Sequence, residues 1–227
     1  YKRQGVKRVI AIASGKGGVG KSTVASNLAV ALALTGKKVA ILDADVYGPS
    51  QPKMLGISDK PSSPDGKTII PLKNHGVTAM SLGLMVPENQ SIVWRGPMLM
   101  GALQQMLNQV KWGEQDYLFV DLPPGTGDVQ LTLCQKTKIA GAIVVSTPQD
   151  IALLDARKGL NMFNKLSTPV IGLIENMSSF VCSGCGMKHY PFNNGTIKKE
   201  AQNFNTVLLG ELPLDLETRE ASDIGLP

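Results

Sequence analysis

Residues 13–23 read Ala-Ser-Gly-Lys-Gly-Gly-Val-Gly-Lys-Ser-Thr. Within them, Gly15-Lys16-Gly17-Gly18-Val19-Gly20-Lys21-Ser22 fits the pattern G-x-x-x-x-G-K-[ST] in full, the spacing of a loop that cradles phosphates. Such glycines let the backbone curl until successive N–H groups face phosphate oxygens. The start of the helix that follows adds a field favouring anions. In this geometry Lys21 reaches the β- and γ-phosphates of a nucleotide, and the Ser22 hydroxyl ligates Mg2+. Val19 and Thr23 complete the stretch expected to line the nucleotide. Lys16 comes too early to duplicate Lys21, and spacing alone leaves it open to being a solvated loop lysine.

Two further acidic positions follow apolar runs. Phe119-Val120-Asp121 ends one run, and Asp121 is placed to bind a Mg2+-bound water. The Leu122-Pro123-Pro124-Gly125-Thr126-Gly127-Asp128 segment after it suits a switch that responds to a γ-phosphate, with Asp128 expected as a helix N-cap. Asp43-Ala44-Asp45 ends the other run. Strand alternation would point both carboxylates to one side, so Asp43 is expected in the Mg2+ shell and Asp45 to orient or polarise the attacking water.

Cys182-Ser183-Gly184-Cys185 is the third cluster. A thioredoxin-like pair should open a helix, and the glycines at 184 and 186 disfavour one. A zinc site needs four ligands, and His189 offers only a possible third. An iron–sulfur site also needs four thiolates. Two cysteines are half of either site, and two chains would supply Cys₄. Spacing does not separate zinc from iron. The remaining cysteine, Cys134, falls at an apolar helix position and reads as core.

These residues need strands to end beside one another. Strands are expected at Val6–Ala13, Lys38–Leu42, Thr78–Leu82, Tyr117–Leu122, Ala142–Ser146, Val170–Ile174 and Val207–Gly210. Helices are expected at Lys21–Thr35, Pro97–Val110, Asp128–Lys136, Ile151–Leu166 and Thr196–Phe204. This alternation predicts an α/β fold, a mostly parallel sheet with helices on both faces, with ligands beyond the carboxyl ends of the strands. No linker divides the chain, so 1–227 is expected to be one domain with a C-x-x-C insertion near 180–190.

Bulk composition agrees. The chain has 227 residues, 43% hydrophobic and 18% charged, which is globular rather than disordered. No apolar run approaches the roughly 20 residues of a membrane span. The opening YKRQGVKR lacks a signal peptide's apolar core. The first residue is Tyr1 rather than Met, so native residues are expected upstream. A net charge of +5 without an Arg-rich, aromatic-interleaved stripe argues against nucleic acid. Three cysteines with no disulfide framework point to a reducing compartment, expected to be the cytoplasm, with an organelle matrix as the alternative.

The loop resembles that of the deviant Walker A ATPases of the MinD, ParA and nitrogenase-iron-protein class, which reads K-G-G-x-x-K-[ST]. That resemblance implies that Lys16 reaches across a homodimer interface to the partner's phosphates. Further blocks are similar to the Mrp/ApbC family of iron–sulfur cluster carrier ATPases: Asp43–Ser50, Val93-Trp94-Arg95-Gly96-Pro97, Asp121–Asp128, Ser146–Asp150, Glu175–Ser178 and Arg219–Asp223. The likeness spans essentially the whole chain. It implies ATP hydrolysis with Mg2+, Asn176 hydrogen-bonding adenine, and the segment around Pro213 beside the base. It also favours a [4Fe-4S] cluster, held by Cys182 and Cys185 from each of two chains and delivered to apo-proteins. Phe192–Thr196 departs from the glycine-rich, histidine-containing segment of relatives. The alternative class is a MinD/ParA-like positioning ATPase that binds membrane or DNA. Leu216–Pro227, with Glu217, Glu220 and Asp223, offers no basic face for a membrane. A nitrogenase-iron-protein-like reductase would instead use widely separated cysteines.

Overall fold

The computed structural model describes residues 5–46, 48–85, 96–192 and 195–227. The chain begins with β1 (Val6–Ala13), α1 (Lys21–Leu34), β2 (Val39–Asp43) and the short α2 (Gln51–Met54). It continues through β3 (Leu72–Asn74), β4 (Val77–Ser81), a 3₁₀ turn at Leu82–Met85, and α3 (Gly96–Gln109). Next come β5 (Gln115–Asp121), α4 (Asp128–Lys136), β6 (Gly141–Ser146), α5 (Asp150–Lys165) and β7 (Val170–Glu175). The last elements are β8 (Phe180–Val181), β9 (Lys188–His189), α6 (Thr196–Asn203), β10 (Leu208–Glu211) and α7 (Leu216–Asp223).

The main sheet has the order β10-β7-β6-β1-β5-β2-β4-β3. Its edge pair β3–β4 is antiparallel and its other pairings are parallel. The expected α/β architecture is therefore what forms. Alternation along β1 explains why both faces are covered. Val9, Ala11 and Ala13 enter one core with Leu103, Leu133, Leu153, Phe163 and Ile197 from α3 to α6. Ile10 and Ile12 enter the other with Val24, Ala25, Ala29 and Val30 of α1. Each large side chain fully buried in this way contributes on the order of 2 kcal/mol.

Parallel strands bring their carboxyl ends to one edge. In register, Ile12 lies opposite Asp121, and Asp43 opposite Asp121. The loop after β1 and the ends of β2 and β5 thus meet without any long-range adjustment.

Some elements differ from the sequence expectations. β5 begins two residues earlier than expected, and β7 runs on to Glu175. α2, β3, β8 and β9 were not expected, because two to four residues carry too little periodicity to be read. α7 was read only for its charge. It forms with Asp215 as N-cap, whose carboxylate accepts from the Thr218 amide at 2.7 Å. The cap of α4 falls on Gly127 rather than Asp128. Of the motif residues, Tyr47, Val93-Trp94-Arg95 and Asn193-Asn194 lie outside the described residues.

Candidate functional site

The loop between β1 and α1 has the backbone its glycines predict. Gly18 and Gly20 sit at φ 79° and 78°, in the left-handed region. A Cβ on Gly15 would overlap the Asp155 backbone carbonyl of α5, so only glycine lets α5 lie against the loop. Gly125, on the Pro/Gly segment, donates its amide to Ser14 O at 2.9 Å.

Lys21 is buried, and its Nζ donates to Asp121 Oδ1 at 2.5 Å and to Ser22 Oγ at 3.2 Å. Asp45 Oδ2 lies 3.9 Å from the same Nζ. Three residues expected to act together therefore converge on the loop lysine.

Asp43 departs from the expectation that its carboxylate and that of Asp45 point to the same side. Its Oδ1 accepts from the Asp45 amide at 3.1 Å. Its Oδ2 accepts from the Ser50 and Gln51 amides at 3.1 and 3.2 Å and from Ser81 Oγ at 3.1 Å. Its carboxylate gathers the Asp45, Ser50 and Gln51 amides, while Asp45 faces Lys21. Burial foremost, and then the neighbouring Asp121 charge, push the Asp43 carboxyl up to about 7, against the pull of its hydrogen-bond donors.

Gln51 went unnoticed in the sequence. It is buried, and its Nε2 donates to Asp121 Oδ2 at 2.9 Å and to Ser22 O at 3.0 Å. Nothing in its type or spacing marks it. The only signal was its place directly after the Asp43–Ser50 block.

Lys16 is half-buried and donates to Gln149 Oε1 at 3.2 Å, within the Ser146–Asp150 block. Asn176 follows β7 and donates from Nδ2 to Val19 O at 2.9 Å, so its side chain rests on the phosphate loop. Met177 beside it takes a left-handed φ of 55°. Pro213 is held close to this segment, because Leu212 N donates to Glu175 O at 2.7 Å and Leu214 N to Ser179 O at 2.7 Å. The structure therefore brings Asn176, Val19 and the Pro213 segment together at one end of the loop.

The cysteine pair lies on the β8–β9 hairpin, which forms its own two-stranded sheet. Cys182 N donates to Met187 O at 2.9 Å and Gly186 N to Cys182 O at 2.8 Å, closing a tight turn rather than a helix. The Cys185 and Gly184 amides, with the Cys185 side chain, hold the Cys182 thiol below its usual range, which favours the thiolate that binds metals. Among the described residues no three His, Cys, Asp or Glu side chains are grouped closely enough to hold a metal ion, so His189 is not a third ligand here. Cys134 is buried in the core, and its thiol is pushed up to about 11.

A cavity of about 1040 Å³ opens at the opposite edge of the sheet, between Lys7, Arg8, Lys136 and Thr168. No motif residue lines it.

Comparison with known proteins adds the following. The family model described as "ParA: NUBPL iron-transfer P-loop NTPase" matches residues 5–227. The "Iron-sulfur cluster carrier protein" of Haemophilus influenzae is 53% identical over 225 residues, covering 99% of this chain and 61% of that protein. The "Iron-sulfur cluster transfer protein NUBPL" of Mus musculus is 52% identical over 226 residues, covering 99% of this chain and 71% of that protein. The chain thus spans about three fifths of the length of the Haemophilus influenzae, Salmonella typhimurium and Escherichia coli carriers. Among solved structures, a nucleotide-binding protein from Archaeoglobus fulgidus in complex with ADP superposes with a TM-score of 0.85 at 39% identity, covering 97% of this chain and 87% of that one. The Pyrococcus furiosus cell division ATPase MinD, at 23% identity and a TM-score of 0.69 over 97% of this chain and 89% of that one, shares the fold.

Proposed function

This chain belongs to the NUBPL iron-transfer P-loop NTPase family, and from that membership we propose that it is an ATP-hydrolysing carrier of an iron–sulfur cluster. Residues 1–227 act as one P-loop ATPase domain, with the cysteine hairpin as its insertion. Gly15, Gly17, Gly18, Val19, Gly20 and Thr23 line the phosphates. Lys21 leaves Asp121 for the β- and γ-phosphates when nucleotide enters. Asp45 orients the water that attacks the γ-phosphorus, the β–γ bridging P–O bond breaks, and ADP and phosphate depart. Asn176 turns from Val19 O to the adenine, with the Pro213 segment beside it. Lys16 exchanges Gln149 for the phosphates of a second copy.

Magnesium fits the residues present. Ser22 Oγ and Asp121 supply hard oxygen donors, and a buried, unpartnered Gln51 Oε1 stands beside them. Ser22 would hold the ion, and Asp121 would do so through water, with Asp43 bracing the loop around them. When bound, the ion neutralises charge on the phosphates.

The cargo is a [4Fe-4S] cluster held by Cys182 and Cys185 of two copies and passed to apo-proteins. The observation that carries this reading is the pair of free thiols on one tight turn, Cys182 half-buried and Cys185 exposed. A reducing compartment, cytoplasm or organelle matrix, suits such thiols. The MinD/ParA-like positioning alternative would use an amphipathic helix with a basic face, and α7 instead carries Glu217, Glu220 and Asp223 against Arg219 alone.

The test is anaerobic loading followed by mixing with an apo [4Fe-4S] acceptor enzyme. Acceptor activity should appear in step with loss of cluster absorbance from the carrier. A loaded carrier that never activates the acceptor, with or without ATP, would contradict the reading.

A further inference from the structure

Gln51 opens α2, yet its side chain turns back into the nucleotide site and is 1% exposed. Its two amide hydrogens are spent on the two residues placed around magnesium, Asp121 Oδ2 and Ser22 O. Its backbone N–H donates to Asp43 Oδ2 at 3.2 Å. One residue therefore joins the end of β2, the end of β5 and the first turn of α1.

Its Oε1 is buried with no hydrogen-bond partner among the described protein atoms. Rotating the amide does not cure this. It would set Oε1 against Asp121 Oδ2 and Ser22 O, acceptor against acceptor. A buried carbonyl without a donor is unfavourable, and a donor arriving with the ligand would relieve it. The waters of a hydrated divalent cation are such donors.

The Asp121 geometry points the same way. Lys21 now occupies Asp121 Oδ1 and Gln51 occupies Oδ2. When Lys21 moves to phosphate, Oδ1 is released while Gln51 keeps the carboxylate oriented. We propose that Gln51 is a positioning residue of the magnesium shell: Nε2 fixes Asp121 and the start of α1, and Oε1 accepts from a metal-bound water. This rests on the nucleotide reading above.

The test uses binding rather than turnover. A fluorescent N-methylanthraniloyl-ADP is titrated into the 227-residue chain in magnesium and in EDTA. The wild type should bind more tightly in magnesium. Gln51→Leu should lose about tenfold or more of that magnesium-dependent gain, as loss of outer-shell partners does at other metal sites, over and above whatever it loses in EDTA. Gln51→Glu, which replaces the Nε2 donor facing Asp121 Oδ2 with an acceptor, should lose the gain as well. If Gln51→Leu does not fold, Gln51→Met is read in the same way. Equal weakening in both buffers, or an intact magnesium gain, overturns the proposal. A wild type that binds the probe in neither buffer overturns the nucleotide reading and this one with it.

Discussion

The nucleotide end and the cysteine hairpin are built on opposite plans. Lys21, Asp43 and Asp121 are 6%, 1% and 0% exposed, and each is held by neighbours in the same chain. The hairpin rests on two-residue strands, with Val181 and Met187 51% and 60% exposed. The phosphate loop has its first set of partners before any ligand arrives. In the proposed carrier the thiols supply half of a four-thiolate site. A buried pocket can be pre-organised by one chain, whereas that open pair would find its other half on a second copy.

If that contrast is sound, each end fails alone. The largest effect belongs to Cys182→Ala. It should abolish cluster binding after anaerobic reconstitution, read as loss of iron, sulfide and visible absorbance, while ADP affinity stays at the wild-type value. Residual cluster at wild-type level would break the comparison. Next is Lys21→Ala. ATP hydrolysis should fall by about 100-fold or more, since a preorganised charge facing the transition state is lost, while iron content survives. Full hydrolysis in that variant would remove the loop from the chemistry.

The smallest effect is in pH dependence. The Asp43 carboxyl is raised to about 7 in the fold, above its ordinary 3.8. The folded state then binds the extra proton, so this group's contribution to stability falls as pH rises from about 4 to about 7 and is flat beyond. Urea unfolding of wild type and Asp43→Asn should therefore diverge across that window in favour of Asn. A difference moving the other way would show a carboxylate that the fold stabilises.

Much of the nucleotide end could be read from the chain, because its residues are local. Gly15 to Ser22 are contiguous, and Asp43 and Asp121 each end an apolar run. What could not be read was which carboxylate faces Lys21. Alternation put Asp43 and Asp45 together, yet the amides of Asp45, Ser50 and Gln51 claim Asp43. Gln51 itself was invisible, because its importance lies in contacts with Ser22 and Asp121, 29 and 70 positions away. The hairpin shows the converse. Counting thiolates raised the expectation of a half-site, while strands as short as Phe180–Val181 and Lys188–His189 left no pattern to find.

The most direct test of the half-site is metal and sulfide analysis of the anaerobically reconstituted protein, with its oligomeric state measured in the same sample. The account predicts about four iron and four sulfide per two chains, in a species that is dimeric when loaded. A single chain carrying the full complement, or a loaded dimer that keeps it with both Cys182 and Cys185 replaced by alanine, would contradict it.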